Sequence, residues 1–353
     1  MALSEYVPGS KVIVDGNLVH SRGVLKVWSN AGTEPGEGFR GSLVSCEKGH
    51  RAYSLGANAL GECPLCQGKI ARTEMLLFPR FGYVTDPHET PQRLRRPVPV
   101  GTAERMSTDF TSRDGCEVAD DWAGTIGVSA LYREQASILG TNRGKNELGF
   151  ALCYSCGYAD SEAMIAKSGT DADGLPDGFS GHRAINRAKR IRCMSGNRFS
   201  GRRNVVFGAR LVTDAIAIEW PAQLLQGIPT ETFATTMAYA LAFAAAEAFE
   251  LEPNSFGVLT SNTSTGFLSV LFDDAAGGVG YARQVFENGS DLLDLAIRKY
   301  LRGNVIHDRD CQGYCLDCLL TFGSQFAARR MMLDRRVALA GLARLNVPIV
   351  GIN

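Results

Sequence analysis

No charge of one sign dominates this chain of 353 residues: Lys and Arg number 37, and so do Asp and Glu. Net charge therefore names no partner, and only local clusters of charge can do so. Long apolar runs are missing too. The longest weakly polar stretch, Thr232 to Ala246, is bounded by Glu231 and Glu247 and falls short of the ~18 to 20 residues a spanning helix needs. It reads as a buried helix, and no membrane partner is expected. The N-terminus, Met1 to Ser10, has no charged region followed by an apolar run, so no secretory leader is expected and the expected compartment is the cytoplasm. A nucleotide motor is absent: Gly140-Thr141-Asn142-Arg143-Gly144-Lys145-Asn146 superficially resembles a phosphate-binding loop but lacks its spacing and its magnesium-binding hydroxyl. No histidine stands near a serine or cysteine in a way that suggests a catalytic triad, so no catalytic residue is assigned.

Cysteine, by contrast, is plentiful and clustered. In a reducing compartment, clustered cysteines point first to metal ligation. Cys46, His50, Cys63 and Cys66 form one set. Cys153, Cys156, His182 and Cys193 form a second, and His307, Cys311, Cys315 and Cys318 a third. Zinc takes four nitrogen or sulfur ligands in a tetrahedron, and a Cys-x2-Cys turn places two thiolates on one side of the ion. Cys63-Pro64-Leu65-Cys66 and Cys153-Tyr154-Ser155-Cys156 have that spacing. The expected cofactor is Zn²⁺ in a structural role, because sulfur-rich shells suit closed sites. In the third set, His307, a water or another residue supplies the fourth ligand. Cys116, His20 and His88 are left over.

The apolar share of 45% and the charged share of 21% are those of a folded protein rather than a disordered one. Val12 to Trp28 alternates around Asp15-Gly16 and predicts a β-hairpin. A Gly/Pro-rich loop is expected over 30–41, and an extended linker from Pro87 to Pro99. Val205 to Trp220 reads as strand, followed by an Ala-rich helix to about Leu251 capped by Thr230. Gly266 to Phe272 reads as strand ending in Asp273-Asp274, with a helix opened by Gly277-Gly278. Ser290 is expected to cap another helix running to Gly303. One basic amphipathic helix over 324–345 and a terminal strand over 347–352 complete the reading. The fold class is α+β, a mixed sheet and helices with zinc-ribbon-like Cys-rich modules. Three segments are expected: a β-rich segment with the first module over 1–100, the second module with an Arg-rich stretch over 101–225, and a C-terminal zinc-binding domain over 226–353.

The nucleic-acid signal is local. Between His182 and Arg203 stand Arg183, Arg187, Lys189, Arg190, Arg192, Arg198, Arg202 and Arg203, with no acid among them. Such a surface neutralises phosphates and releases their counterions; a solvated face or an acidic protein partner is the alternative. Arg329, Arg330, Arg335 and Arg336 form a second basic strip. Asp273 and Asp274, with Asp214 and Glu219, offer a two-carboxylate nuclease site as an alternative to helix capping.

Three stretches resemble one family. Leu271-Phe272-Asp273-Asp274-Ala275-Ala276-Gly277-Gly278-Val279-Gly280 resembles the LYDxxPGGxG element in the zinc-binding C-terminal domain of Mrf-type DEAD/DEAH-box helicases. Cys311, Cys315, Cys318 and Leu319, followed by Ser324-Gln325 and Leu333-Asp334-Arg335-Arg336, are similar to that domain's cysteine cluster and tail. Gly144-Lys145-Asn146-Glu147-Leu148-Gly149-Phe150, Thr213-Asp214-Ala215 and the opening Val7-Pro8-Gly9-Ser10-Lys11-Val12 fit its upstream region. Arg309 stands where the family often has a further cysteine, and Ser324 where it has Asn. Helicase-associated subunits of anti-phage systems such as DISARM carry the same domain. The resemblance implies a non-catalytic subunit that contacts DNA and docks on a DEAD/DEAH-type helicase or other ATPase subunit, in anti-phage defence or DNA repair. A metal-dependent nuclease using Asp273 and Asp274, and an adaptor without DNA contact, are the alternative functions.

Overall fold

The computed structural model describes residues 2–26, 40–56, 60–85, 92–93, 103–107, 109–165, 182–185, 193, 201–263, 266–321 and 323–347. The loop over 30–41 (apart from its last two residues), nearly all of the 87–99 linker and the terminal strand beyond Val347 lie outside these residues. The chain is α+β. It divides into two compact units that interleave in sequence: residues 1–104 with 139–210, and residues 105–138 with 211–353. Two of the boundaries fall inside long strands, Ser129–Asn142 and Gly201–Pro221, and the other inside the short strand Ala103–Met106.

In the first unit the expected hairpin is present. Strand Lys11–Val14 pairs with Asn17–Val24, and Val14 faces Asn17 across a two-residue turn. Asp15 and Gly16 both take left-handed backbone (φ 48° and 73°), the turn whose twist matches that of paired strands and which favours Asp-Gly. Strand Arg40–Cys46 lies between Arg51–Leu55 and Ile70–Leu77, antiparallel to both. Ile70–Leu77 also pairs in parallel with the start of the long strand, Leu77 beside Phe207. On the other side of that strand Phe150–Cys153 pairs antiparallel, followed by Ala159–Ser161. Leu3, Val7, Leu77, Phe150, Leu152 and Phe207 fill the core, with the Phe150 and Phe207 ring centroids 4.7 Å apart.

The second unit is built around helix Thr230–Ala248. Its Phe, Met, Leu and Ala side chains are buried on nearly every face, as befits a helix that is apolar all round. It packs on the sheet formed by the end of the long strand, Gly266–Asp273 and Phe256–Asn262, all antiparallel. The buried Trp220 packs edge-on against Phe233 and donates its indole N–H to Ser269 at 2.7 Å; the Ser269 hydroxyl passes the link on to the Ala234 carbonyl.

Three helix boundaries differ from the sequence reading. Pro229, not Thr230, is the N-cap of the Ala-rich helix; its fixed φ of −63° presets the entry that a side-chain cap otherwise supplies. Ser290 lies inside helix Gly289–Leu295, whose N-cap is Asn288 and which continues as a π-helix, Ala296–Arg302. The basic helix expected over 324–345 is two helices, Gln325–Arg329 and Arg335–Arg344. Met331 is left-handed (φ 56°). Asp334, in extended backbone, starts the second helix by accepting from Arg336 N at 2.8 Å, a cap that outweighs the continuing apolar period.

The strand Gly266–Asp273 ends in a carboxylate with a defined task. Asp273 is fully buried and accepts from the backbone N–H groups of Val279 (2.7 Å), Gly280 (2.8 Å), Tyr281 (3.2 Å) and Ala282 (2.8 Å). The last three are orphan donors at the start of helix Tyr281–Glu287, whose N-cap is Gly280. Gly278 must be glycine here, because it is left-handed (φ 76°) and a Cβ would lie 2.5 Å from the Asp214 carboxylate. Replacing Asp273 with Ala leaves four backbone donors without their acceptor. Urea unfolding of the metal-loaded chain is expected to show a loss of roughly 2–4 kcal/mol, and an unshifted midpoint would contradict the capping role.

Candidate metal centres

The chain brings all twelve predicted ligands together in three separate sets of four. Within each set the sulfur and nitrogen atoms lie within 4.8 Å of one another. The ten cysteines are free thiols, and the sulfur pairs in contact stand 3.6–3.9 Å apart, far beyond a disulfide bond.

The first set is built by two turns of the first unit. Cys46 ends strand Arg40–Cys46, and its backbone N–H donates to the His50 carbonyl at 3.0 Å. Cys63 and Cys66 sit in a turn closed by the Glu62–Lys69 bridge. Cys46 and Cys66 sulfurs are 3.8 Å apart, and Cys63 Sγ lies 3.8 Å from His50 Nδ1. Burial pushes the Cys63 thiol above its ordinary range.

All four members of the second set are buried. Cys153 ends strand Phe150–Cys153, and the turn after it is closed by Gly157 N–H donating to the Cys153 carbonyl at 3.0 Å. Cys156 Sγ lies 3.2 Å from His182 Nε2, and Cys153 Sγ 3.7 Å from Cys193 Sγ. The Tyr158 ring stacks on the His182 imidazole, 4.6 Å between centroids and 12° from parallel. The neighbouring thiols of Cys153 and Cys193, and then burial, push the Cys156 thiol far upward. Three thiols this close resist ionisation unless a cation is shared among them.

The third set settles which ring nitrogen of its histidine faces the thiols. His307 lies on helix Val305–Asp310, capped by Asn304, whose side chain accepts the His307 N–H at 2.8 Å. His307 Nδ1 is 2.8 Å from the Arg302 carbonyl. A carbonyl only accepts, so Nδ1 carries a proton, and in the neutral ring the lone pair then lies on Nε2. Nε2 is buried and has no hydrogen-bond partner among the described residues. A buried acceptor of this kind beside three thiols fits a metal ligand, and the Arg302 carbonyl fixes its tautomer. Cys318 Sγ lies 3.9 Å from Cys311 Sγ and 3.6 Å from Cys315 Sγ, and burial pushes the Cys318 thiol up to about 12. Metal loading at such sites displaces protons, so the stability it contributes is lost as pH falls.

Arg335 is the functional residue that the sequence reading misplaces. The sequence places it in a basic strip, yet only 1% of it is exposed. Its guanidinium donates to the carbonyls of Leu301 (2.7 Å), Asp308 (2.7 Å) and Cys311 (3.0 Å) and to the Asp308 carboxylate (2.8 Å). One planar fork thus ties down the helix that carries His307 and the backbone of the first cysteine. The Leu-Asp-Arg run held a usable signal: Asp334 caps a helix, so Arg335 opens it and points back toward the cysteine loop. Arg309, at the position where the resembled family often has cysteine, is exposed and pairs with Asp310 at 2.6 Å.

Of the predicted nucleic-acid-binding residues, Arg183, Arg202 and Arg203 are described. Arg202 and Arg203 are exposed on the long strand, and Arg203 Nε donates to the buried Glu162 at 2.8 Å. Arg183 is half-buried beside His182. Arg187, Lys189, Arg190, Arg192 and Arg198 lie outside the described residues. The nuclease carboxylates serve other partners: Asp273 caps a helix, Asp274 pairs with Arg105 at 3.3 Å, and Glu219 pairs with Arg113 at 3.1 Å. Among the described residues they form no metal-holding group.

No protein family matches the chain. It is 26% identical over 365 residues to the Druantia protein DruE of Escherichia coli (strain UMEA 4076-1), an alignment covering 95% of this chain and 18% of that protein. The chain therefore spans about a fifth of that relative's length. Among solved structures it is similar to the DUF1998 helicase MrfA bound to DNA, at 12% identity and a TM-score of 0.33 over 72% of this chain and 26% of that one. A second structure of that helicase, bound to DNA and AMPPNP, gives 12% identity and a TM-score of 0.25 over 71% and 23%.

Two measurements check the centres. Elemental analysis of purified chain is expected to find three zinc ions, and His307→Ala about two, with the loss confined to the third set. Arg335→Lys keeps the charge but loses the fork. It is expected to lower stability by roughly 2–4 kcal/mol and to make one zinc of three exchange faster with a chromogenic chelator.

Proposed function

We propose that the chain is a zinc-stapled, non-catalytic module that binds DNA and works with a DEAD/DEAH-type helicase or other ATPase subunit in anti-phage defence or DNA repair. Three sets of three cysteines and one histidine would each hold one Zn²⁺: Cys46, His50, Cys63 and Cys66; Cys153, Cys156, His182 and Cys193; His307, Cys311, Cys315 and Cys318. Bound zinc supplies folding energy on the order of 10 kcal/mol per small module and no chemistry on a substrate. The 26% identity to the Druantia protein DruE across 95% of this chain, together with the resemblance to the zinc-binding domain of Mrf-type helicases, supports the partnership.

The observation that carries the DNA reading is how the second set anchors the Arg-rich segment. His182 and Cys193 are members of one set, and Cys193 N–H donates to the His182 carbonyl at 3.0 Å. Arg183, Arg187, Lys189, Arg190 and Arg192 all fall between these two anchors, and Arg202 and Arg203 follow on the long strand. A metal at this set would fix both ends of a basic segment, reducing the entropy lost when its cations meet phosphates. Replacing Arg187, Arg190 and Arg192 together with Ala is expected to weaken DNA binding at least tenfold and to lower the salt slope by roughly two to three, with three zincs retained. Unchanged affinity and slope would overturn the DNA assignment.

A further inference from the structure

The second set is braced by a part of the chain far from its ligands in sequence. Strand Asn17–Val24 and the turn holding Cys153 and Cys156 meet through an isolated antiparallel bridge, Gly23 beside Tyr158. Val24 donates its backbone N–H to the Gly157 carbonyl at 2.9 Å. Two residues further on, Lys26 Nζ donates to the carbonyl of Ser155, which stands between the two cysteines, at 3.1 Å. One peptide group carries the link inward. The Gly157 carbonyl and the Tyr158 N–H belong to the same planar unit. Its oxygen accepts from Val24, and its N–H donates to Cys156 Sγ at 3.4 Å. Hydrogen bonds in series polarise one another, so the Val24 bond strengthens the donor that faces the sulfur. A donor aimed at sulfur favours the thiolate, the form that binds metal.

Gly23 is where the two halves of the set meet that strand. A Cβ there would stand 2.3 Å from the Gly157 oxygen and 2.4 Å from Ile185 Cδ1. Gly157 follows Cys156, and Ile185 stands three residues after His182. Ile185 is buried in one cluster with Cys153, Cys156, Tyr158 and Cys193. Val84, the register partner of Gly23 on strand Tyr83–Thr85, packs against the same cluster. Both halves of the ligand set therefore close on a residue that has no side chain to keep them apart.

We propose that strand Asn17–Val24 is the outer shell of the second metal set. Val24 positions Cys156 through the Gly157–Tyr158 peptide, and Gly23 seats both the cysteine turn and the stretch that follows His182. Neither residue is a ligand; both are positioning residues. Metal loading of the set and docking of the hairpin then stabilise each other, because a metal bound to the assembled form alone favours that form. The proposal rests on the reading that this set holds zinc, and it needs neither DNA nor a helicase partner.

The test uses the full chain loaded with ¹¹³Cd²⁺, so that each set is read by its own cadmium resonance. The resonance lost in Cys156→Ser is that of the second set. Gly23→Ala is expected to release metal from this set to EDTA about tenfold faster or more, with the other resonances unchanged. Ile185→Ala, which introduces no clash, is expected to speed the same release severalfold. Gly41→Ala controls for a general loss of stability. It drives a Cβ to 2.4 Å from the Ser54 backbone oxygen in the same compact unit and is expected to leave release from the second set unchanged. Amide hydrogen exchange at Val24 is expected to slow about tenfold or more when the parent is loaded, and not when Cys156→Ser is loaded. With metal held by the parent, release at the parent rate from both Gly23→Ala and Ile185→Ala overturns the proposal alone. So does equal acceleration by Gly41→Ala, or Val24 exchange indifferent to loading. A parent without a second-set resonance overturns the zinc reading, and the proposal with it.

Discussion

Three thiols and an imidazole gathered within 4.8 Å are an electrostatic problem before they are a scaffold. Ionising all three sulfurs without a cation sets like charges at van der Waals distance, and burial removes the water that would screen them. The upward push on the Cys63, Cys156 and Cys318 thiols is that problem expressed as proton affinity. A divalent cation would resolve it in all three places. The surrounding structure is arranged to that end: turns that hold two sulfurs apart, a tyrosine ring that fixes one imidazole, a carbonyl that fixes the tautomer of another.

The sets differ in what they hold together. In the first, ligands about twenty residues apart join two neighbouring turns. The second spans about forty residues, so closing it costs more chain entropy but constrains more chain. The third is the most local, and it is the one that recruits an outside residue. Arg335 buries a charge whose desolvation is offset only because every direction of its fork meets a carbonyl or carboxylate. A buried arginine is a common sign of such a task; here the task is holding ligand-bearing backbone rather than binding a phosphate.

The chemistry was more legible in the sequence than the architecture. Cysteine spacing is a covalent-scale pattern, so Cys63-x2-Cys66 and Cys153-x2-Cys156 announce their geometry locally, and the Asp15-Gly16 turn does the same for the hairpin. The histidines were recognised by proximity alone; the protonation that gives His307 its lone pair depends on the Arg302 carbonyl, which no motif encodes. Arg335 is not legible as a buried residue because arginine ordinarily lies at the surface and all but one of its acceptors are backbone atoms. The helix expected over 324–345 broke because a continuing apolar period says nothing of the left-handed Met331. Two interleaved units, with residues 139–210 returning to residues 1–104, follow from pairings whose partners are remote in sequence.

The parallel pairing of Leu76 with Val206 and Leu77 with Phe207 sets an order of events. About 130 residues separate the partners, and non-local pairings of that length are slow to form. During synthesis the turns holding Cys46, His50, Cys63 and Cys66 emerge well before residue 206, so their set is available for metal while the sheet edge of Ile70–Leu77 still waits for its neighbour. An exposed edge of that kind invites pairing with other chains. A module stapled early beside it would shorten the length of chain free to do so, so that a metal at the first set would guard the nascent chain as well as support the finished fold.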